Sequence, residues 1–398
     1  MISQSTINSL SNSYIYSNNN NIYLDNNRLI NETIDKIENT IQEIKNENIN
    51  LSKINSRFTN LRYQIGKIFN YLSENSKLQK DQYLEYFVEE LYRYIEGYLS
   101  EIQKYYCSRK KIYIDNFKLK NGFYFDEISN DAVNEVLNLC SENLKKFKKN
   151  IEKGLTKREE LSISSGWKIR KVINILNKEF NKKNINEQVS YYMQKNYCVT
   201  RCSLELSTPN SKWWENVENS KVSKHTNYAH VDESFVYPKS ILYLTDVSKN
   251  NGPTSFYPKI YKSLSLNFLQ DTIGKVIGNI GSDKKSKLKN YYKKKYHQPM
   301  SCEKFLKHYT FLPKKLRFNS HIGWDILNDS ALEKEMINDE KFFIGKKGSC
   351  VIFDGSKILH RGGLINNGER IVLQIVFGPK INFLKKIYNK IIRKIIAL

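Results

Sequence analysis

Cysteine is scarce, with six residues in a chain of 398. Cys107, Cys140, Cys198, Cys202, Cys302 and Cys350 show neither the density of a disulfide scaffold nor the CxxC spacing of a zinc ribbon. Reduced, buried thiols are expected. Cys198 and Cys202 stand at helical spacing, yet two thiols without two further ligands make no zinc site. No run of about 18 apolar residues occurs, which excludes a hydrophobic spanning helix. The opening stretch MISQSTINSLSNSYIYSNNNNIYL has no early basic residue and no apolar core of a signal peptide, so a soluble, cytoplasmic protein is expected. The fragments FDGSK and NNG lack the strand, GxxxxGK and helix of a phosphate loop, which excludes nucleotide hydrolysis of that type. Acidic residues are also short: 41 Asp and Glu face 64 Lys and Arg, a net charge of +23. Such an excess points to an anionic partner, or to the same compositional bias that fills the chain with Lys, Asn, Ile, Tyr and Phe. Nucleic acid is not the expected partner.

What is present suffices for a large buried core, since 40% of residues are hydrophobic. Residues 1–30 are rich in Asn and Ser and read as a flexible tail. From Ile34 the positions Ile37, Ile44, Leu51, Phe58 and Ile65 recur every seventh residue, which predicts a long amphipathic helix. It could serve as a coiled-coil arm, but packing on its own domain is the expected use. Helical spacing returns over 80–108 and 130–157, so 31–160 is predicted to be a helical region packing on the core. Beyond it, YCVTRCSLELS, KSILYLTDV, GSCVIFDG and RIVLQIVFG are short and β-branched with turn residues between them, the signature of a sheet-rich domain over 161–382. An insertion at about 260–345 interrupts this domain. Its stretch 271–317 interleaves Lys with Tyr and Phe and reads either as a basic lid or as a solvated helical insertion. Residues 383–398 form a basic amphipathic helix that could make weak membrane-surface contact or pack back on the protein.

The chemistry concentrates in two segments. HVDE places His230 and Asp232 one residue apart, and FDGSKILHRGG ends a short apolar segment in His360. Two imidazoles and a carboxylate on one face of Fe(II) leave three positions open, enough for a bidentate 2-oxo acid and dioxygen. Arg370 opens the apolar strand GERIVLQI, where Arg370, Val372, Gln374 and Val376 share a face. A guanidinium there suits the distal carboxylate of 2-oxoglutarate. His225 and His321 are rival ligands, but His225 has Asn227 at the acid position and His321 has no acid two residues on. Trp213 and Trp214 are candidates for a pocket wall or for core packing.

HVDE, ILYLTDVSKNNGP, FDGSKILHRGG and GERIVLQI together resemble the phytanoyl-CoA dioxygenase branch of Fe(II)/2-oxoglutarate-dependent oxygenases, over residues 195–380. The resemblance implies an α+β protein with a double-stranded β-helix core of jelly-roll type, related to cupins. It implies His230, Asp232 and His360 as iron ligands and Arg370 as partner of the 2-oxoglutarate carboxylate. Tyr243 is similar to a tyrosine that prolyl-hydroxylase-like relatives direct at the same carboxylate. The activity implied is hydroxylation of an unactivated C–H bond, coupled to decarboxylation of 2-oxoglutarate with O2, and the lysine-rich insertion leads us to expect a small, anionic substrate. An intact Asp232 distinguishes it from halogenating relatives. Two alternatives stay open: a prolyl-type protein hydroxylase, and a non-catalytic basic protein binding membrane or nucleic acid.

Overall fold

The computed structural model describes residues 12–17, 22–46, 50–153, 159–162, 167–209, 221–293, 302–363 and 365–380. The expected helix 383–398, Trp213 and Trp214 lie outside the described residues. Helices and antiparallel sheet make up the architecture. The seven-residue apolar repeat forms two helices, α1 (Arg28–Asn46) and α2 (Leu51–Leu78), rather than one. Asn50 caps the second, its side chain accepting from Lys53 N at 3.1 Å. Leu51, counted within the repeat, is 52% exposed, whereas Ile37, Ile44, Phe58 and Ile65 are buried. A side-chain cap that satisfies free helix-end N–H groups outweighs continuity of an apolar stripe. Helix α3 (Gln82–Cys107) follows, capped by Asp81, which accepts from Tyr83 N and Leu84 N.

These helices pack on their own chain. They share one apolar core with α7 (Phe268–Val276), α8 (Glu303–Tyr309) and α9 (Ala331–Asp339) of the insertion. Phe87 of α3 meets the Phe305 ring edge-on at 5.9 Å and is fully buried. Phe87→Ala is expected to cost about 3–5 kcal/mol, a value usual for deleting a buried ring, measured as the loss in free energy of urea unfolding. Within 271–317 the apolar residues Ile273, Ile277, Leu288, Tyr292 and Phe305 are spent on this core, and Lys284, Lys285 and Lys289 face solvent. The described part of the stretch is therefore docked on this core, as the helical-insertion reading expects. Residues 12–17, expected to be part of a tail, are packed: Tyr14 bridges to Ile326, stacks on Tyr16 at 5.3 Å, and Tyr16 meets Tyr309 edge-on. Two large aromatic surfaces offset the ordering cost of a short polar segment.

Three further helices, α4 (Asn130–Glu152), α5 (Trp167–Lys182) and α6 (Ile185–Met193), cover one face of a six-stranded antiparallel sheet. Its strands are β1 (Phe123–Glu127), β2 (Glu159–Ser162), β3 (Tyr197–Ser207), β4 (Lys239–Tyr243), β7 (Ser349–Phe353) and β9 (Arg370–Pro379), in the order β1-β7-β4-β9-β3-β2. The second sheet, β6-β5-β8, comprises β5 (Thr254–Tyr257), β6 (Lys341–Phe343) and β8 (Leu359–Arg361). Period-two alternation divides the labour. Ile371, Leu373, Ile375 and Phe377 of β9 pack on the helices, while Val372 joins Ile241, Tyr243 and Phe353 against Phe256 and Phe343 of the second sheet. Cys198 and Cys202 both lie on β3, where a four-residue separation spans about 13 Å, so helical proximity does not apply.

Candidate metal centre

His230 and His360 face each other across a reciprocal backbone pair, His230 N to His360 O and His360 N to His230 O, both at 2.9 Å. Directly opposed residues in such a pair project side chains to the same face, and the two rings lie 4.4 Å apart. Asp232, two residues on in extended chain, returns to that face and is anchored by Asp232 N donating to Gly355 O at 2.7 Å. Each imidazole Nε2 is 3.9 Å from Asp232 Oδ1, and the three donor atoms fall within 4.8 Å of one another, close enough to hold one ion. Among the described residues these three form the group with that property.

The protonation pattern suits a metal. His230 Nδ1 donates to Tyr228 O at 3.0 Å and His360 Nδ1 to Ile358 O at 2.9 Å. With Nδ1 carrying the proton, each Nε2 presents its lone pair to the centre. Burial pushes His230 down to about 3, with His360 nearby adding to the shift, and burial likewise lowers His360. Both rings are thus neutral at pH 7. For Asp232 burial alone would raise the pKa, but the Lys239 ammonium, with the two imidazoles, holds the carboxyl well below the usual carboxylate range. Lys239 Nζ sits 2.5 Å from Asp232 Oδ1. The other oxygen, Asp232 Oδ2, is buried without a hydrogen-bond partner among the described residues. A buried anionic oxygen left bare is costly, and a divalent cation is the partner this donor set fits.

Two cavities meet at the centre. An inner one of about 190 Å³ runs between the sheets from His230 and His360 to Glu205, Arg370 and Gln374. An outer one of about 370 Å³ is lined by Arg201, Tyr237, Asp232 and His321. Tyr228, His230 and Lys239 border both. Among the described residues Lys239 is the lysine in either wall, so the described lysines of 271–317 do not line these two cavities.

The other sequence candidates are placed as follows. Arg370 is buried at the far end of the inner cavity, where its Nη2 meets Glu205 Oε1 at 2.8 Å and its Nη1 donates to Gly252 O at 2.5 Å. Tyr243 does not reach that cavity. Its hydroxyl donates to Phe343 O at 2.6 Å and accepts from Thr254 N at 3.1 Å, and its ring stacks on Phe343. That hydroxyl is committed to the backbone of Phe343 and Thr254 and not to the Arg370 end of the cavity, so the carboxylate-binding role assigned to Tyr243 is withdrawn, and with it the feature that suggested a prolyl-type hydroxylase. His321 stacks on His230 at 5.3 Å as a wall and stands outside the three-donor group. His225 is exposed and uses its carbonyl to accept from Arg361.

Sequence reasoning missed Lys239, Glu205 and Gly355. Glu205 carried a signal, an acid amid the apolar residues of SLELS. Gly355 sits so close that a Cβ there would fall on Asp232 Oδ2 and within 3.2 Å of His360 Cε1. Gly355→Ala is expected to weaken Mn(II) binding about 10- to 100-fold, as disturbing a ligand's support does, read by calorimetric titration. Unchanged affinity would show that Asp232 can retreat without loss.

No protein-family model and no curated sequence matches the chain. Similar solved structures include SnoN, a non-heme alpha ketoglutarate dependent epimerase from nogalamycin biosynthesis, at 10% identity, covering 65% of this chain and 78% of that one with a TM-score of 0.30. SnoK, a non-heme alpha ketoglutarate dependent carbocyclase from the same biosynthesis, is 12% identical over 69% and 82%, with a TM-score of 0.34. HygX from Streptomyces hygroscopicus, with nickel and 2-oxoglutarate bound, is 10% identical over 65% and 83%, with a TM-score of 0.29.

Proposed function

We propose that this chain is a non-haem Fe(II)- and 2-oxoglutarate-dependent oxygenase that hydroxylates a C–H bond of a small, anionic organic molecule, built on a jelly-roll core. The observation that carries the reading is the His230–His360 backbone pair, which turns two Nε2 lone pairs and the Asp232 carboxylate onto one point beside a buried, cation-lined cavity. His230, Asp232 and His360 would hold the iron through one face and leave the other open. Fe(II) bound there, with 2-oxoglutarate and O2, supplies oxidation of a C–H bond to an alcohol coupled to release of CO2 and succinate.

The chain's own residues divide the remaining tasks. The inner cavity is the place for the 2-oxo acid, with its reactive end at the imidazoles and its tail toward Arg370. Phe353 and Phe256 flank His360 and keep that end dry. The outer cavity is the place for the substrate. Arg201 there lies over the Tyr237 ring at 4.8 Å, an exposed guanidinium held for a carboxylate or phosphate group.

Anaerobic titration of the full chain with Fe(II) followed by 2-oxoglutarate is expected to give one iron per chain and a visible absorption band. With O2 and ascorbate, slow succinate formation should follow. A chain that takes up no Fe(II) or Mn(II), yet binds polyanions in a salt-sensitive way, would support the non-catalytic alternative instead.

A further inference from the structure

The inner cavity holds a second carboxylate of its own. Glu205, on β3, is 2% exposed, as is Arg370 beside it on β9. Glu205 Oε1 accepts from Arg370 Nη2 at 2.8 Å and from Ser207 Oγ at 3.0 Å, and Oε2 accepts from Gln374 Nε2 at 3.2 Å. Arg370 Nη1 is committed to Gly252 O, and only Arg370 Nε is buried without a hydrogen-bond partner among the described residues. Both members of the pair line the cavity that ends at His230 and His360.

Two physical consequences follow. A guanidinium binds a ligand carboxylate most strongly through two parallel N–H bonds, and here two of its five N–H groups are already given to Gly252 O and Glu205 Oε1, so a ligand carboxylate must share the guanidinium with Glu205. In addition, the cavity meets an ion pair and not a lone cation, so the field drawing in an anion is largely cancelled by Glu205 at close range.

We propose that Glu205 is the specificity-determining residue of the inner cavity: by holding Arg370, it sets how strongly the site prefers a 2-oxo acid bearing a second carboxylate. This rests on the oxygenase reading above. An unopposed buried guanidinium would favour the charged tail by roughly 30-fold to a few thousandfold. With Glu205 in place, the preference falls below that range. Glu205→Gln keeps an acceptor for Arg370 Nη2 while removing the charge, and so restores the preference.

The test uses the full chain loaded with Mn(II) and calorimetric titration with two acids. One is 2-oxoglutarate. The other is 5-methyl-2-oxohexanoate, in which two methyl groups replace the distal oxygens. For the natural chain the ratio of dissociation constants is expected to stay below about 30-fold. In Glu205→Gln it should rise by about tenfold or more, through tighter 2-oxoglutarate binding with the methyl analogue little changed. A natural-chain preference above about 30-fold would overturn the proposal, and that measurement stands even if the variant does not fold. Equal weakening of both acids in a folded Glu205→Gln would also overturn it, since a purely structural role predicts that result. If the Mn(II) form bound neither acid, the 2-oxo acid reading itself would fall, an outcome distinct from the other two.

Discussion

Replacing Asp232 by alanine is expected to abolish the proposed succinate formation and to lower affinity for Fe(II) or Mn(II) by on the order of a hundredfold or more, beyond the 10- to 100-fold typical of losing a supporting group. The variant removes the single carboxylate of the three-donor group. It also strips Lys239 of the oxygen 2.5 Å from its ammonium, so a cation is left facing the place where a metal would sit. Loss of a ligand and gain of repulsion act in the same direction. Metal affinity is read by calorimetry and turnover by succinate release with ascorbate present. Succinate produced at the natural rate by Asp232→Ala would mean that the iron is held elsewhere.

Arg370→Met is expected to destabilise the fold by about 3–5 kcal/mol, the usual cost of leaving half of a buried ion pair behind. Glu205 would remain as a carboxylate at 2% exposure, accepting from Ser207 Oγ and Gln374 Nε2. The double variant Glu205→Met, Arg370→Met should recover most of that loss, because apolar groups of similar volume can replace a buried pair at little cost. Urea unfolding of the single and double variants gives the coupling directly. A single variant as stable as the natural chain would show that Glu205 has a second cation within reach.

The three metal-binding candidates were legible in the sequence because each follows from local chain geometry. His-x-Asp repeats the two-residue period of extended chain, and His360 ends an apolar segment that becomes a strand. The two faces of β9 were legible for the same reason: Arg370, Val372 and Gln374 turn one way, Ile371, Leu373 and Ile375 the other. What stayed hidden depends on neighbours distant in sequence. Glu205 is 165 residues from Arg370, and nothing local tells that the two side chains meet. Tyr243 was misassigned because period two fixes a side, while only the second sheet fixes what stands there, here the carbonyl of Phe343. Gly355 drew no notice, since the need for a missing Cβ is visible only once Asp232 lies against it. The seven-residue repeat suggested one continuous rod because apolar spacing persists across a cap. The Asn- and Ser-rich start concealed Tyr14 and Tyr16, two anchors that composition averages away.

The shared core of α1–α3 and the insertion has a consequence for synthesis. Phe87 leaves the ribosome about 200 residues before Phe305, an interval of roughly 10–40 s at ordinary elongation rates. Through that interval the nascent amphipathic helices present Ile54, Phe58, Leu61, Phe87 and Leu91 with their later partners still untranslated. Such a surface is what holding chaperones bind, so assembly of the helical layer is tied to completion of a segment that interrupts the sheet domain.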